Sequence, residues 1–318
     1  MSTPINLDHI RDAAERITPY AHRTPVLTCA GLDEMTNGHL FFKCENFQKV
    51  GAFKFRGACN AVFSLSDAQA AKGVATHSSG NHAAALALAA RLRGISAFIV
   101  MPKTAPPVKI AAVKEYDGQI TFSEATKESR DETLKAVVDK TAALYIPSYD
   151  DPRIIAGQGT AALELVEDIP DLDMVIAPVG GGGLLSGTAL AVKGLSPGTQ
   201  VIGAEPEGAD DAWRSFQAGH LVTIDHPRTI ADGLLMPLSQ RTFEILRESI
   251  KGIVLVNEKA IIRAMRLVWE RMKIIIEPSS AVAIAPLLEG DLDTRGLRVG
   301  VILSGGNVDL ENLPWNTT

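Results

Sequence analysis

Cysteine is scarce: Cys29, Cys44 and Cys59 are the only three in 318 residues, and no two form a C-x-x-C pair. An odd, scattered set argues against a disulfide framework and for a reducing, cytoplasmic setting. Basic charge is also short, with 31 Lys and Arg against 37 Asp and Glu and a formal net charge of −6. No basic run offsets that balance, which argues against a nucleic-acid partner. No apolar stretch is long enough to cross a bilayer, and the start, MSTPINLDHI, lacks the charged-then-apolar pattern of a leader. Internal repeats and low-complexity linkers are missing too. What remains is ordinary globular composition, 46% hydrophobic and 21% charged, at a length that suits two domains.

Short β-like runs alternate with helical patterns along most of the chain. Residues 40–47, 73–75, 97–101, 119–122, 174–179, 201–204 and 299–303 read as strands. Residues 7–17, 83–91, 131–140, 153–167, 184–193 and 258–273 read as helices. That alternation predicts an α/β fold with mostly parallel sheets wrapped by helices.

Within this pattern, Lys54 stands in a glycine-flanked turn, Gly51-Ala52-Phe53-Lys54-Phe55-Arg56-Gly57, after the first long strand. Phe53 and Phe55 on either side predict a partly dry pocket, where desolvation leaves a free amine able to attack carbonyl carbon. Most lysines are simply solvated, so the neighbours must decide. Gly180, Gly181, Gly182 and Gly183 lie between a buried strand and a helix that begins near Leu184. Such a run lets successive N–H groups converge at a helix N-terminus, which suits a phosphate. It is not followed by Gly-Lys-Ser/Thr, and the nearest G-x-G-x-x-G frame ends in Ser186. The plainer alternative is a tight connection that allows close helix–strand packing.

Two further strand ends are polar. His77-Ser78-Ser79-Gly80-Asn81-His82 offers hydroxyls, an amide and N–H groups to one anion, or serves as an ordinary N-cap. Leu303-Ser304-Gly305-Gly306-Asn307 ends the last strand. Ligands of open α/β sheets bind beyond the carboxyl ends of the strands, where these four turns would gather.

The set GAFKFRGA, HSSGNH, AGQGT, GGGGLLSG and ILSGGN resembles the pyridoxal-phosphate enzymes of the threonine dehydratase and serine racemase family, from about residue 5 to residue 312. The late segments LVWERMK and LSGGNVDL are most similar to the eukaryotic-type serine racemase branch, which also holds threo-3-hydroxyaspartate dehydratases. The resemblance implies the tryptophan synthase β-like fold, called fold type II. It also implies a large cofactor-binding domain of residues 1–72 and 149–318 and a small mobile domain of residues 73–148. A homodimer is usual among such enzymes.

The resemblance further implies roles. Lys54 would carry the cofactor covalently and move the Cα proton, with Ser79 as the acid–base group on the opposite face. Gly180 to Gly183 with Leu184 would hold the phosphate; Phe53 would pack on the ring, Asn81 bond its hydroxyl and Ser304 face its nitrogen. Ser78, Asn81 and His82 would hold the substrate carboxylate. Arg130 matches an arginine near the substrate and suits a second carboxylate. Tyr149 and Met236 replace an asparagine and a serine of mammalian-type racemases, and Ala84 replaces a glutamine near their nucleotide site. Glu205, Asp211 and the Ala209 carbonyl match a divalent-metal site for Mg²⁺, or for Ca²⁺ or Mn²⁺.

Three functions fit these residues. The favoured one is a dehydratase (ammonia-lyase) of β-hydroxy-α-amino acids, with 3-hydroxyaspartate ahead of serine and threonine, yielding a keto acid and ammonia. The second is a serine racemase with dehydratase side activity. The third is a sensor that binds an amino acid or nucleotide without turnover, against which Lys54 and the glycine run both speak.

Overall fold

A computed structural model describes residues 4–316; residues 1–3, where the leader reading begins, and residues 317–318 lie outside the described residues. The described strands are β1 (Val26–Leu27), β2 (His39–Cys44), β3 (Val74–His77), β4 (Ala97–Pro102), β5 (Gln119–Ser123), β6 (Leu144–Tyr145), β7 (Met174–Pro178), β8 (Gln200–Pro206), β9 (Gly252–Val256) and β10 (Arg298–Leu303). They form two sheets, one of six strands in the order β1-β2-β10-β7-β8-β9 and one of four in the order β5-β4-β3-β6. Every pairing is parallel except that of β1 with β2.

Parallel sheets need both faces covered, and the alternation of side chains supplies two apolar faces. Along β7, Met174 and Ile176 join a core with Met265 and Val268 of the Glu258–Met272 helix. Val175 and Ala177, pointing the other way, pack with Leu165, Ala189 and Val192 of the Pro152–Asp168 and Gly183–Leu195 helices. A third core joins the helices Lys54–Phe63 and Asn81–Arg93 to Val74, Ile99 and Met101 of the smaller sheet. Six alanines of the Asn81–Arg93 helix are buried, small enough to let its neighbours approach closely.

The six helices read from the sequence are present, but the pattern misses Ala30–Thr36, Lys54–Phe63, Pro107–Glu115, Asp211–Ala218 and Gln240–Ser249, and the differences at element ends have local causes. Helix 258–273 stops at Met272 because Lys273 adopts φ 60°, a left-handed cap. The run 40–47 leaves the sheet after Cys44, and Glu45–Phe47 forms a 3₁₀ turn. Glu45 is fully buried there and receives Arg56 Nε and Nη2 at 2.7 and 2.8 Å, with Thr24 Oγ1 at 2.6 Å. The same guanidinium grips Glu164 through Nη1 and Nη2 at 2.7 and 2.8 Å, while buried Lys43 meets Glu164 Oε2 at 2.7 Å. Buried charges are tolerated only when paired and hydrogen-bonded, as here. The cluster ties the Lys54–Phe63 helix to the Pro152–Asp168 helix beside it.

Candidate active site

Strands β2, β10 and β7 are adjacent in the larger sheet, and the loops at their carboxyl ends carry Lys54, Ser304 and the glycine run. The smaller sheet turns its own carboxyl ends to the same place: Ser78 to His82 follow β3, Arg130 follows β5 and Tyr149 follows β6. Between them lies a cavity of about 460 Å³ whose walls include all of these residues.

Lys54 does not sit in a free turn; it is the first residue of a helix. Ala52 bridges Gly305, and Phe53 N–H donates to the Ser304 carbonyl at 3.0 Å. These contacts staple the approach to the end of β10 before the helix starts. Just upstream, Val50 takes φ 56°, a left-handed conformation that costs a β-branched residue on the order of 1–3 kcal/mol. Asn307 Nδ2 donates to its carbonyl at 2.7 Å and holds it there.

The Lys54 amine donates to the Ser148 carbonyl at 2.9 Å and lies 5.1 Å from the Phe53 ring centroid. Burial pushes it down to about 8, with the Glu277 carboxylate partly opposing. Phe55, expected to flank the amine, is instead fully buried in the core, its ring 5.7 Å from Lys49 Nζ.

The glycine run enters the Gly183–Leu195 helix through Gly182 at φ 85°, and no side chain caps that helix. A Cβ on Gly181 would stand 2.6 Å from the Tyr149 ring, so a side chain there would collide with the cavity wall. The result is an uncovered row of N–H groups at a helix start, facing the same space as the amine. An aldehyde bearing a phosphate fits these two features together, since one end needs a neutral amine and the other an anion cradle. Leu184 and Phe53 add apolar wall, and Ser304, 2% exposed, adds a hydroxyl-bearing side chain.

Ser78, Ser79 and Asn81 are half-buried in the cavity wall. Gly80 caps the Asn81–Arg93 helix without a side-chain bond, so this turn also leaves N–H groups open. Asn81 is more committed than expected: Nδ2 donates to Glu277 Oε1 at 2.9 Å, and Oδ1 accepts from Asn307 Nδ2 at 3.0 Å. His82 is 2% exposed, and burial, reinforced by the nearby Lys54, pushes its imidazole down to about 3. The ring is neutral and spends its Nε2–H on the Ile146 carbonyl at 3.2 Å. What His82 offers an anion is therefore its backbone N–H, because its ring proton is already used.

Arg130 lies in the first turn of the Lys127–Thr141 helix, half-buried, with Nε 3.5 Å from Asp131 Oδ1. Tyr149 is half-buried, its phenol raised by burial first and by Asp150 and Asp211 after that.

Sequence reasoning missed Glu277. It is 5% exposed, lines the cavity, and burial pushes it up to about 7. Its signal was an acid and a proline ending the apolar run Ile274-Ile275-Ile276. Also missed was the ion pair of Lys109 with Asp232, which joins the Pro107–Glu115 helix to the far wall of the cavity.

Glu205, Ala209 and Asp211 do not line this cavity. Glu205 is fully buried at the end of β8, and its two oxygens accept from the N–H groups of Ala212 and Trp213 at 2.9 and 2.7 Å. Burial pushes Glu205 up to about 9 and Asp211 up to about 6. Asp211 Oδ2 is buried with no hydrogen-bond partner among the described residues. Among the described residues, no group of three or more His, Cys, Asp or Glu side chains is assembled to hold a metal.

A family profile described as "Pyridoxal-phosphate dependent enzyme" matches residues 17–305. The chain is 54% identical over 304 residues to a beta-hydroxyaspartate dehydratase of Paracoccus denitrificans, covering 96% of each chain. It is 49% identical over 313 residues to a serine racemase of Arabidopsis thaliana, covering 97% of this chain and 94% of that one. The solved structure of maize serine racemase superposes with a TM-score of 0.96 at 46% identity, covering 99% of this chain and 97% of that one.

Proposed function

The chain belongs to the pyridoxal-phosphate dependent enzymes, and on that premise we propose that it is a dehydratase (ammonia-lyase) of β-hydroxy-α-amino acids, 3-hydroxyaspartate foremost. One observation carries the reading: a desolvated lysine, an uncapped glycine turn and an arginine share one cavity in a chain 54% identical to a beta-hydroxyaspartate dehydratase. Bound there, pyridoxal phosphate supplies an electron sink for the charge left at Cα when its proton departs.

The chain's own residues do the rest. Lys54, pulled down to about 8 by burial, accepts the Cα proton through its free-amine form. Gly180 to Gly183 and Leu184 bind the phosphate; Phe53, Asn81 and Ser304 orient the ring, Ser304 with a neutral hydroxyl toward its nitrogen. Ser78, Asn81 and the His82 N–H hold the α-carboxylate. Arg130 and Tyr149 receive the distal carboxylate. Loss of the β-hydroxyl as water, followed by hydrolysis, gives a keto acid and ammonia.

A second reading, serine racemase with dehydratase side activity, is favoured by Ser79, a hydroxyl lining the same cavity as Lys54. A donor on each face permits return of the proton from either side. Incubation of pure protein with L-serine, L-threonine and the isomers of 3-hydroxyaspartate separates the two, with keto acids and D-amino acids measured side by side. D-serine outpacing pyruvate while hydroxyaspartate is untouched would reverse the ranking.

Residues 73–148, around the smaller sheet, act as a mobile domain that closes on residues 1–72 and 149–318. A divalent cation, Mg²⁺ before Ca²⁺ or Mn²⁺, binds Glu205, Asp211 and the Ala209 carbonyl; the unpartnered Asp211 Oδ2 supports it. A cation there would return both acids to their charged form. The enzyme works as a homodimer, since exposed Phe47 and Ile275 share a surface joined by the Asn46 to Ile275 bond. Three free cysteines support a cytoplasmic location, and no helix among the described residues is long and apolar enough to cross a membrane.

A further inference from the structure

The cavity wall holds a polar side chain that the roles above leave unused, His77, and Tyr145 stands beside it outside the lining. His77 closes β3 and Tyr145 closes β6. The two strands pair with Ala75 opposite Tyr145, so Ala75, His77 and Tyr145 project from one face of the sheet. That face is covered by the Lys127–Thr141 helix, whose Leu134 packs with Ala75. His77 and Tyr145 are thus diagonal cross-strand neighbours, Tyr145 Oη 3.1 Å from His77 Nε2 with ring centroids 5.8 Å apart and planes 23° apart.

Arg130, from the first turn of the covering helix, lines the cavity beside His77. Burial, then the Arg130 charge, lowers the imidazole, with Asp131 partly opposing, so the ring is neutral at physiological pH. Tyr145 is 37% exposed, and partial desolvation of its phenol raises it, so it keeps its proton. In the tautomer where the phenol donates to Nε2, the ring proton sits on Nδ1. Nδ1 makes no hydrogen bond to the chain among the described residues.

We propose that His77, with its tautomer set by Tyr145, directs its Nδ1–H to the distal carboxylate of the substrate alongside Arg130, and so sets the preference for a dicarboxylic amino acid. The proposal rests on the reading of the chain as a 3-hydroxyaspartate dehydratase. Arg130 alone supplies charge, which attracts any anion. A fixed neutral donor beside it adds direction, which serine, with no distal carboxylate, cannot use.

The test uses two substitutions of opposite design in the holoenzyme. His77→Gln keeps a group near Tyr145 and removes the donor at the Nδ1 position; His77→Asn keeps an amide donor near Nδ1. The ratio of kcat/KM for 3-hydroxyaspartate to that for serine should fall roughly 10- to 100-fold in His77→Gln, mainly through KM, and recover in part in His77→Asn. Inhibition of serine turnover by succinate should weaken in His77→Gln while inhibition by propionate moves little. Nitrogen NMR of histidine-labelled protein should place the His77 proton on Nδ1, and Tyr145→Phe should disturb that preference.

A proton found on Nε2 in the native protein would overturn the assignment, as would an unmoved ratio or equal behaviour of the Gln and Asn variants. If the native enzyme itself ignores 3-hydroxyaspartate, the substrate reading fails, while succinate and the tautomer still judge His77.

Discussion

Asn81 and Glu277 stand 196 residues apart in the chain, and Asn81 Nδ2 donates to Glu277 Oε1 at 2.9 Å. The bond joins the loop after β3 of the smaller sheet to the segment that leads toward β10 of the larger one. Asn307 completes the set, donating to Asn81 Oδ1 through its side chain and to Glu277 Oε2 through its N–H at 3.2 Å. An acid buried at such a junction makes the cavity sensitive to protons.

Folding raises Glu277 from its ordinary value of 4.5 to about 7, so the folded chain holds this proton more tightly than the unfolded chain. The associated stability is complete below about pH 4.5 and is lost as the pH climbs to about 7. Glu277→Gln removes the titration. Denaturant unfolding of cofactor-free protein should show the native chain losing ground to the variant across that window, by on the order of 3 kcal/mol at most. A constant difference between the two would contradict the burial argument.

The Lys54 amine has the opposite sign: its ordinary value of 10.5 is lowered to about 8 by desolvation. Reductive methylation of cofactor-free protein, followed at Lys54 by peptide mass spectrometry, should half-rise near pH 8. A midpoint above 10 would mean the amine is solvated. Lys54→Ala should abolish formation of the borohydride-reducible cofactor adduct.

Glu45→Ala leaves the Arg56 guanidinium fully buried with only Glu164 as its carboxylate partner. Removing one member of a buried ionic cluster costs about 3–5 kcal/mol, so the denaturation midpoint should fall sharply. A loss below 1 kcal/mol would mean that water enters the cluster.

Ser79→Ala should suppress D-serine formation from L-serine by roughly 100-fold, and pyruvate formation by much less. Equal losses of both would reject the assignment of Ser79 as the second acid–base group.

Much of this molecule was legible in its sequence because its rules are local. Helix 7–17 followed from its apolar spacing, and a side-chain cap from Asn6 fixes its start. β7 and the glycine turn followed from a wholly buried run meeting residues without side chains. What escaped depended on distant partners. The bend at Glu45 comes from Arg56 and Thr24, the helical start at Lys54 from Ser304 and Gly305, and the commitment of the His82 ring from Ile146. Glu277 looked like an ordinary acid before a proline, since nothing nearby in sequence reveals that Asn81 and Asn307 enclose it.

The pairing of β2 with β10 sets a timetable for biosynthesis. While a ribosome is still adding the middle of the chain, the strand before Lys54 has only the two-residue β1 beside it, and its central partner does not yet exist. Such long-range pairing is slow to find, and a chain waiting for it keeps sticky surface exposed. Translation that stops short of residue 298 should therefore yield protein without any share of the catalytic function, however much of the polypeptide has been made.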